Sequence, residues 1–215
     1  MTNKKLIILL LLLATLPCTQ ARAQDIDYNI LCNLQQKRTP AMNKVMVWTS
    51  NSLVLAPCVP AGLLTTGFAT DNQQLVSVGT ATGISFLTAF AVTEAVKFTV
   101  RRPRPYITYT DDLIPVKTTI GFSFPSGHTS LTFATATSLS LSCPKWYVIA
   151  PSMLWATGVA FSRLYLGVHY PSDVLTGMLV GTLSGITGYL LSQKICAESD
   201  VPAAKISIPP VVLRF

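Results

Sequence analysis

The chain has two histidines, and each stands beside residues that could do phosphate chemistry. His128 closes Pro125-Ser126-Gly127-His128. His169 follows Ser162-Arg163 after five residues and precedes Asp173 by three. A third stretch supplies cations: Lys97, six residues, then Arg104-Pro105. A lysine offers a mobile point charge, and an arginine grips two oxygens with one planar fork. Pro125-Ser126-Gly127 precedes an apolar run and should open a helix. The free N–H groups of that first turn form an anion site, and Gly127 leaves an oxyanion room to approach. Ser126 adds a hydroxyl. His169 and Asp173 share a helix face if Pro171 lies in that helix's first turn. Asp173 then orients one ring nitrogen and leaves the other as nucleophile, the logic of the serine triad with histidine attacking. His128 suits a general acid and base.

Each stretch also has a plainer reading. The cations could anchor at lipid headgroups, Pro-Ser-Gly-His could be a loop and helix cap, and His169 could simply hydrogen-bond Asp173. All three would then coincide around both histidines. Glu94 is expected to pair with Lys97 or Arg101 along a helix. Tyr106, Tyr109, Tyr165 and Tyr170 read as aromatics at a membrane interface, with one or two of them candidates to line the substrate entrance.

The elements that must position these groups are membrane helices. Of 215 residues, 50% are apolar and only 12% charged, against about 25% charged in soluble domains. Segments 45–70, 72–93, 118–144, 146–162 and 174–193 contain no Asp, Glu, Lys or Arg. A bilayer core takes about 20 apolar residues in helix, and the small residues in these segments suit close helix packing. The expectation is an all-α, polytopic membrane helix bundle with about five spans and an N-terminal amphipathic helix. That helix falls in 26–44 and turns into the first span at Thr39-Pro40, an N-cap followed by proline. Pro57 and Pro60 should kink the span. Residues 1–23, with Lys4 and Lys5, an apolar run and Ala21-Arg22-Ala23, read as a signal peptide or an uncleaved anchor. Residues 24–195 form the membrane-embedded domain and 196–215 a C-terminal tail. The net charge of +7 lacks a basic stripe, so nucleic acid is not an expected partner. The cysteines show neither metal-ligand spacing nor a disulfide framework.

Secretion places residue 24 outside, and counting spans then puts 99–124 and 164–172 on the same outer side. Lys97, Arg101, Arg102, Arg104, Lys117 and Arg163 thus gather on the side that positive charge avoids. An anionic ligand accounts for that.

Together the three stretches resemble the signature of the type 2 phosphatidic acid phosphatase superfamily, which includes class A acid phosphatases and vanadium haloperoxidases. Its three parts are K-x6-R-P, P-S-G-H and S-R-x5-H-x3-D, and all are present in order. The resemblance implies a metal-independent, cofactor-free phosphatase of a lipid phosphate or pyrophosphate, working through a phosphohistidine. Carried over, Lys97, Arg104 and Arg163 hold phosphoryl oxygens with Ser126 and Gly127, His169 attacks, Asp173 orients it and His128 is the acid-base. Arg101 and Arg102 lie outside the signature. The expected setting is the bacterial inner membrane with the site facing the periplasm. Undecaprenyl pyrophosphate or lipid A phosphate is the preferred substrate, and no obligate protein partner is evident. Two alternatives are a soluble periplasmic acid phosphatase and a non-enzymatic carrier of anionic lipids.

Overall fold

The computed structural model describes residues 20–198, with side chains from 25 to 195. The expected signal peptide and tail fall largely outside these bounds. The chain runs through α1 (Gln20–Gln36), α2 (Pro40–Asn51), a 3-10 turn (Ser52–Val54), α3 (Leu55–Ala69) and α4 (Gln73–Val100). It continues through α5 (Pro105–Thr108), α6 (Gly127–Ser142), α7 (Trp146–Tyr165) and α8 (Pro171–Glu198). No strand occurs among the described residues, so the all-α expectation holds.

Local sequence explains where the helices start and bend. The Thr39 hydroxyl accepts the Met42 N–H at 3.2 Å, with Pro40 at the first helical position. The 3-10 turn sits where Pro57 would meet the Leu53 carbonyl, four residues back, and Pro57 has no N–H to give it. Pro60 lies inside α3. The break therefore comes just upstream of the two prolines. Asn72 caps α4 by accepting the Leu75 N–H at 3.2 Å.

The centre of the bundle is α4, α6 and α8; α7 packs on α6, α2 on α7 and α3 on α4. Segments Pro40–Ala69, Gln73–Thr108 and Pro171–Ile195 are long and apolar enough to cross a bilayer. The other two expected spans coincide with α6 and α7, of 16 and 20 residues. Residues 118–126 are loop, in keeping with the expected outer connection over 99–124, and the span proper begins at Gly127. The helix α6 is also rich in serine and threonine. Several of the hydroxyls return to the preceding turn: Thr132 to His128 O at 2.9 Å, Thr135 to Leu131 O at 3.0 Å, Ser140 to Ala136 O at 2.7 Å.

Close approach of α8 to α6 depends on missing side chains. A Cβ at Gly177 would lie 2.8 Å from Ser126 O, and one at Gly181 would run into the carbonyl oxygen of Ser130. Backbone cannot step aside as a flexible side chain does. Gly181→Val is therefore expected to cost about 1–3 kcal/mol through overpacking, read as a fall of several degrees in Tm in detergent. An unchanged Tm would contradict this packing.

The first helix, α1, differs from a helix that only rests on lipid. Leu31 is buried with Leu113 and Tyr170. The Tyr28 hydroxyl donates to Asp112 at 3.0 Å, and Gln35 donates to Asp112 O and accepts from the Ile114 N–H, each at 2.8 Å. Ile26 and Ile30 remain exposed. One face of α1 is thus a lid on segment 109–114 and on the start of α8.

Candidate active site

All the candidate residues meet at one end of the bundle. Lys97 is in the last turn of α4, and Arg104 is the residue before α5. Ser126, Gly127 and His128 open α6, while Arg163 is in the last turn of α7. His169 stands in the short connection to α8, and Asp173 is in the first turn of α8. Pro171 is the first residue of α8, as the spacing of His169 and Asp173 required. Arg101 ends α4 in the left-handed region with φ 51°, which turns Arg102 and Arg104 across the bundle end.

His169 and Arg163 are each 2% exposed and Asp173 is 0% exposed. The Nε2 atom of His169 lies 3.3 Å from Nη1 of Arg104. A guanidinium only donates, so Nε2 is the unprotonated nitrogen and the ring proton sits on Nδ1. That Nδ1 is 3.5 Å from Oδ2 of Asp173 and makes no hydrogen bond. Asp173 lies beside His169, but the contact is open rather than a closed hydrogen bond. Its Oδ2 accepts the Tyr170 N–H at 2.9 Å.

The cations are held differently. Arg104 donates to the carbonyls of Gly121 (2.9 Å), Val168 (2.9 Å) and Ile120 (3.0 Å). Most of its five N–H groups are therefore taken, and it is a rigid, positioned charge rather than a free fork. Arg163 donates to the Ser50 hydroxyl, while its buried Nε has no partner. Lys97 pairs with Glu94 at 3.2 Å, as expected. Its ammonium would be 3.2 Å from a Cβ at Gly127, so it rests directly on the first turn of α6. Ser126 is fully buried. Its hydroxyl accepts from Thr129 at 3.0 Å, and its N–H donates to Asp173 O at 3.0 Å. That last bond ties the start of α6 to the start of α8. His128, half-buried at the second position of α6, lies within electrostatic reach of His169, Arg163, Lys97 and Arg104.

The sequence profile described as the PAP2 superfamily matches residues 75–196. This chain belongs to the PAP2 superfamily. It is 29% identical over 187 residues to the undecaprenyl-diphosphatase of Sulfolobus acidocaldarius, covering 85% of this chain and 84% of that one. It is 37% identical over 84 residues to the lipid A 4'-phosphatase of Bacteroides thetaiotaomicron, a match covering 38% of this chain and 37% of the other. Among solved structures it is similar to a transmembrane PAP2-type phosphatidylglycerolphosphate phosphatase from Bacillus subtilis. That likeness has a TM-score of 0.68 and 26% identity over 89% of this chain and 96% of the other. This PAP2 protein is therefore a membrane hydrolase of phosphate esters, of the lipid phosphatase kind.

In this PAP2 site the imidazole of His169 is held well below its ordinary pKa. Burial is the largest cause, followed by repulsion from Arg163, Arg104 and Lys97. The neutral ring, which is the nucleophilic form, persists as pH falls through about 6.5, the ordinary histidine value. Below that pH the unfolded chain takes up a proton that the folded site refuses, so stability falls with acid. A denaturation series in detergent should show stability declining from about pH 6.5 downward. Stability rising over that range would contradict the assignment.

Several contacts escaped the sequence. Arg102, left without a role there, donates to Asp173 Oδ1 at 2.7 Å and to Asp27 Oδ2 at 3.1 Å. It sits in an Arg-Arg-Pro-Arg run, where nothing separates it from its neighbours. Ser50 and Asp27 come from outside the three stretches and carried no signal. The tyrosines need correcting: Tyr165 and Tyr170 are buried. The Tyr165 hydroxyl accepts the Thr39 N–H at 3.1 Å, Tyr170 donates to Thr108 at 3.0 Å and Tyr106 donates to Thr119 O at 2.7 Å. Tyr165 and Tyr170 are therefore interior residues and not part of an outer belt, while Tyr106 and Tyr109 are half-buried.

Proposed function

We propose that this PAP2 protein removes phosphate from a lipid phosphate or pyrophosphate through a phosphohistidine on His169. Undecaprenyl pyrophosphate or a lipid A phosphate is the preferred substrate. The observation that carries the reading is one neutral, buried imidazole facing Arg104, with Arg163 and Lys97 acting on the same ring. The unpartnered Nε of Arg163 is a donor awaiting an anion, since a buried polar group without a partner is costly.

The chemistry follows from the geometry. The cations and the first turn of α6 hold the phosphoryl oxygens and balance charge as it spreads in the transition state. Nε2 of His169 forms a P–N bond while the P–O bond to the leaving group breaks, and His128 protonates the leaving oxygen. His128 then takes a proton from water, the water oxygen bonds to phosphorus, and the P–N bond breaks. Asp173 steadies the Nδ1 proton through both steps. No step calls for a metal or cofactor. Five spans, with α6 and α7 completing the three long segments, would place this end of the bundle on the periplasmic face of an inner membrane. The preference for an undecaprenyl or lipid A substrate draws on that orientation and on the names of the relatives.

The test is phosphate release in detergent from isoprenyl, glycerolipid and lipid A substrates, with and without EDTA and vanadate. Release is expected to be unaffected by EDTA and inhibited by vanadate, whose five-coordinate form mimics the transition state. Metal-dependent release would contradict the mechanism. His128→Ala should slow release of the leaving group in a single turnover by about 10²–10⁴-fold on a lipid phosphate and far less on p-nitrophenyl phosphate, whose leaving group needs no proton. Equal slowing of this first step on the two substrates would remove His128 from the acid role.

A further inference from the structure

We propose that Arg102 and Asp27 are positioning residues for His169, acting through Asp173; this rests on the reading of Asp173 as the partner of the nucleophile. The N–H groups of Arg102 point at the first turn of α8 and at α1. Nη1 donates to Asp173 Oδ1 and to Ser172 Oγ, each at 2.7 Å, and Nη2 donates to Asp27 Oδ2 at 3.1 Å. The guanidinium carbon lies 3.7 Å from the centre of the Tyr170 ring, the residue next to His169. One planar cation therefore fastens Tyr170, Ser172 and Asp173, the stretch that follows His169.

Asp27 completes the arrangement from α1. Its Oδ1 accepts the Ser172 N–H at 3.1 Å, and its Oδ2 accepts the Ser172 hydroxyl. A carboxylate on a free N–H in the first turn of a helix is a cap, and the helix dipole favours it. Here the cap of α8 comes from another helix. With one carboxylate capping α8 and one arginine joining that carboxylate to Asp173, α1 is tied to the catalytic turn.

The roles of the arginines divide accordingly. Lys97, Arg104 and Arg163 act on the imidazole of His169. Arg102 faces two carboxylates and has no contact with the ring nitrogens of His169. An ionised carboxylate as deeply buried as Asp173 needs a paired, hydrogen-bonded cation, and Arg102 supplies it without entering the phosphate pocket. The open 3.5 Å contact from Asp173 to Nδ1 leaves little margin for the carboxylate to drift.

The test compares Arg102→Gln, Arg102→Lys and Asp27→Asn with the parent in detergent, using p-nitrophenyl phosphate and a lipid phosphate. Arg102→Gln is expected to lower kcat on the order of 10²-fold on both substrates with KM within about threefold, the pattern of a group that acts only in the transition state. Arg102→Lys should recover part of that loss, and Asp27→Asn should lose less than Arg102→Gln. The double variant should be no worse than Arg102→Gln beyond about twofold, because coupled residues do not add. Parental kcat in Arg102→Gln, or a raised KM at unchanged kcat, would overturn the proposal; the second result would make Arg102 a substrate contact. If Arg102→Gln does not fold, Asp27→Asn decides: a lower kcat at constant KM supports the proposal and parental kinetics overturn it. A parent that releases no phosphate overturns the phosphatase reading and this proposal together. An active parent with unaffected variants overturns this proposal alone.

Discussion

His169→Ala is expected to abolish phosphate release, with kcat falling on the order of 10⁵–10⁶-fold. Alanine removes the nitrogen that makes the P–N bond. The chain's second histidine, His128 at the start of α6, is assigned to the acid-base role. The cations Lys97, Arg104 and Arg163 remain, so binding of a phosphate ester should survive the substitution. That combination, binding without turnover, separates an enzyme from a carrier of anionic lipids. A carrier needs the arginines and not the imidazole, and it would be indifferent to His169→Ala. The variant should also fold, since it removes a ring whose Nδ1 has no hydrogen-bond partner. Phosphate release near the parental rate would end the histidine mechanism.

Asp173→Asn is expected to cost about 10⁴-fold in kcat, by analogy with the orienting aspartate of a serine triad. The substitution keeps shape and removes charge. Asp173 Oδ2 accepts the Tyr170 N–H, and Oδ1 accepts from Arg102. An asparagine can serve one of these two donors with its carbonyl oxygen but must turn its NH₂ toward the other. Either way the Nδ1 proton of His169 loses its negative partner, and the alternative tautomer, with the proton on Nε2, becomes competitive. That tautomer cannot attack. KM should change little, because the phosphate-holding cations are untouched. A fall in kcat of less than about tenfold would mean that Asp173 holds α8 together without orienting His169.

How much of this was legible in the sequence depends on the scale of the contact. The three stretches were legible because spacing on a helix fixes which residues share a face. His169 and Asp173 meet on one turn as their separation required, and Thr39-Pro40 starts α2. The helical bundle was legible because uncharged stretches between charges leave few alternatives in lipid. The connection at residues 118–126 is as free of charge as a span, and it was Pro125-Ser126-Gly127 that marked where the helix opens. The roles of Arg102, Ser50 and Asp27 were not legible. They depend on pairs distant in the chain, such as Asp27 with Ser172 and Ser50 with Arg163. Local pattern carries no information about which distant polar group will be the partner. The tyrosines misled for a related reason: an aromatic with a polar tip suits a membrane interface and a hydrogen-bonded interior equally well.

The central claim is that phosphorus becomes bonded to nitrogen on His169. Its most direct test is to mix His128→Ala with p-nitrophenyl phosphate, quench in alkali, digest and map the phosphorylated peptide by mass spectrometry. The good leaving group allows the first step, and loss of the base slows the second, so the intermediate should accumulate on the peptide carrying His169 and vanish in the His128→Ala, His169→Ala double variant. Turnover with no phosphorylated histidine, or with phosphate on any other residue, would contradict the account.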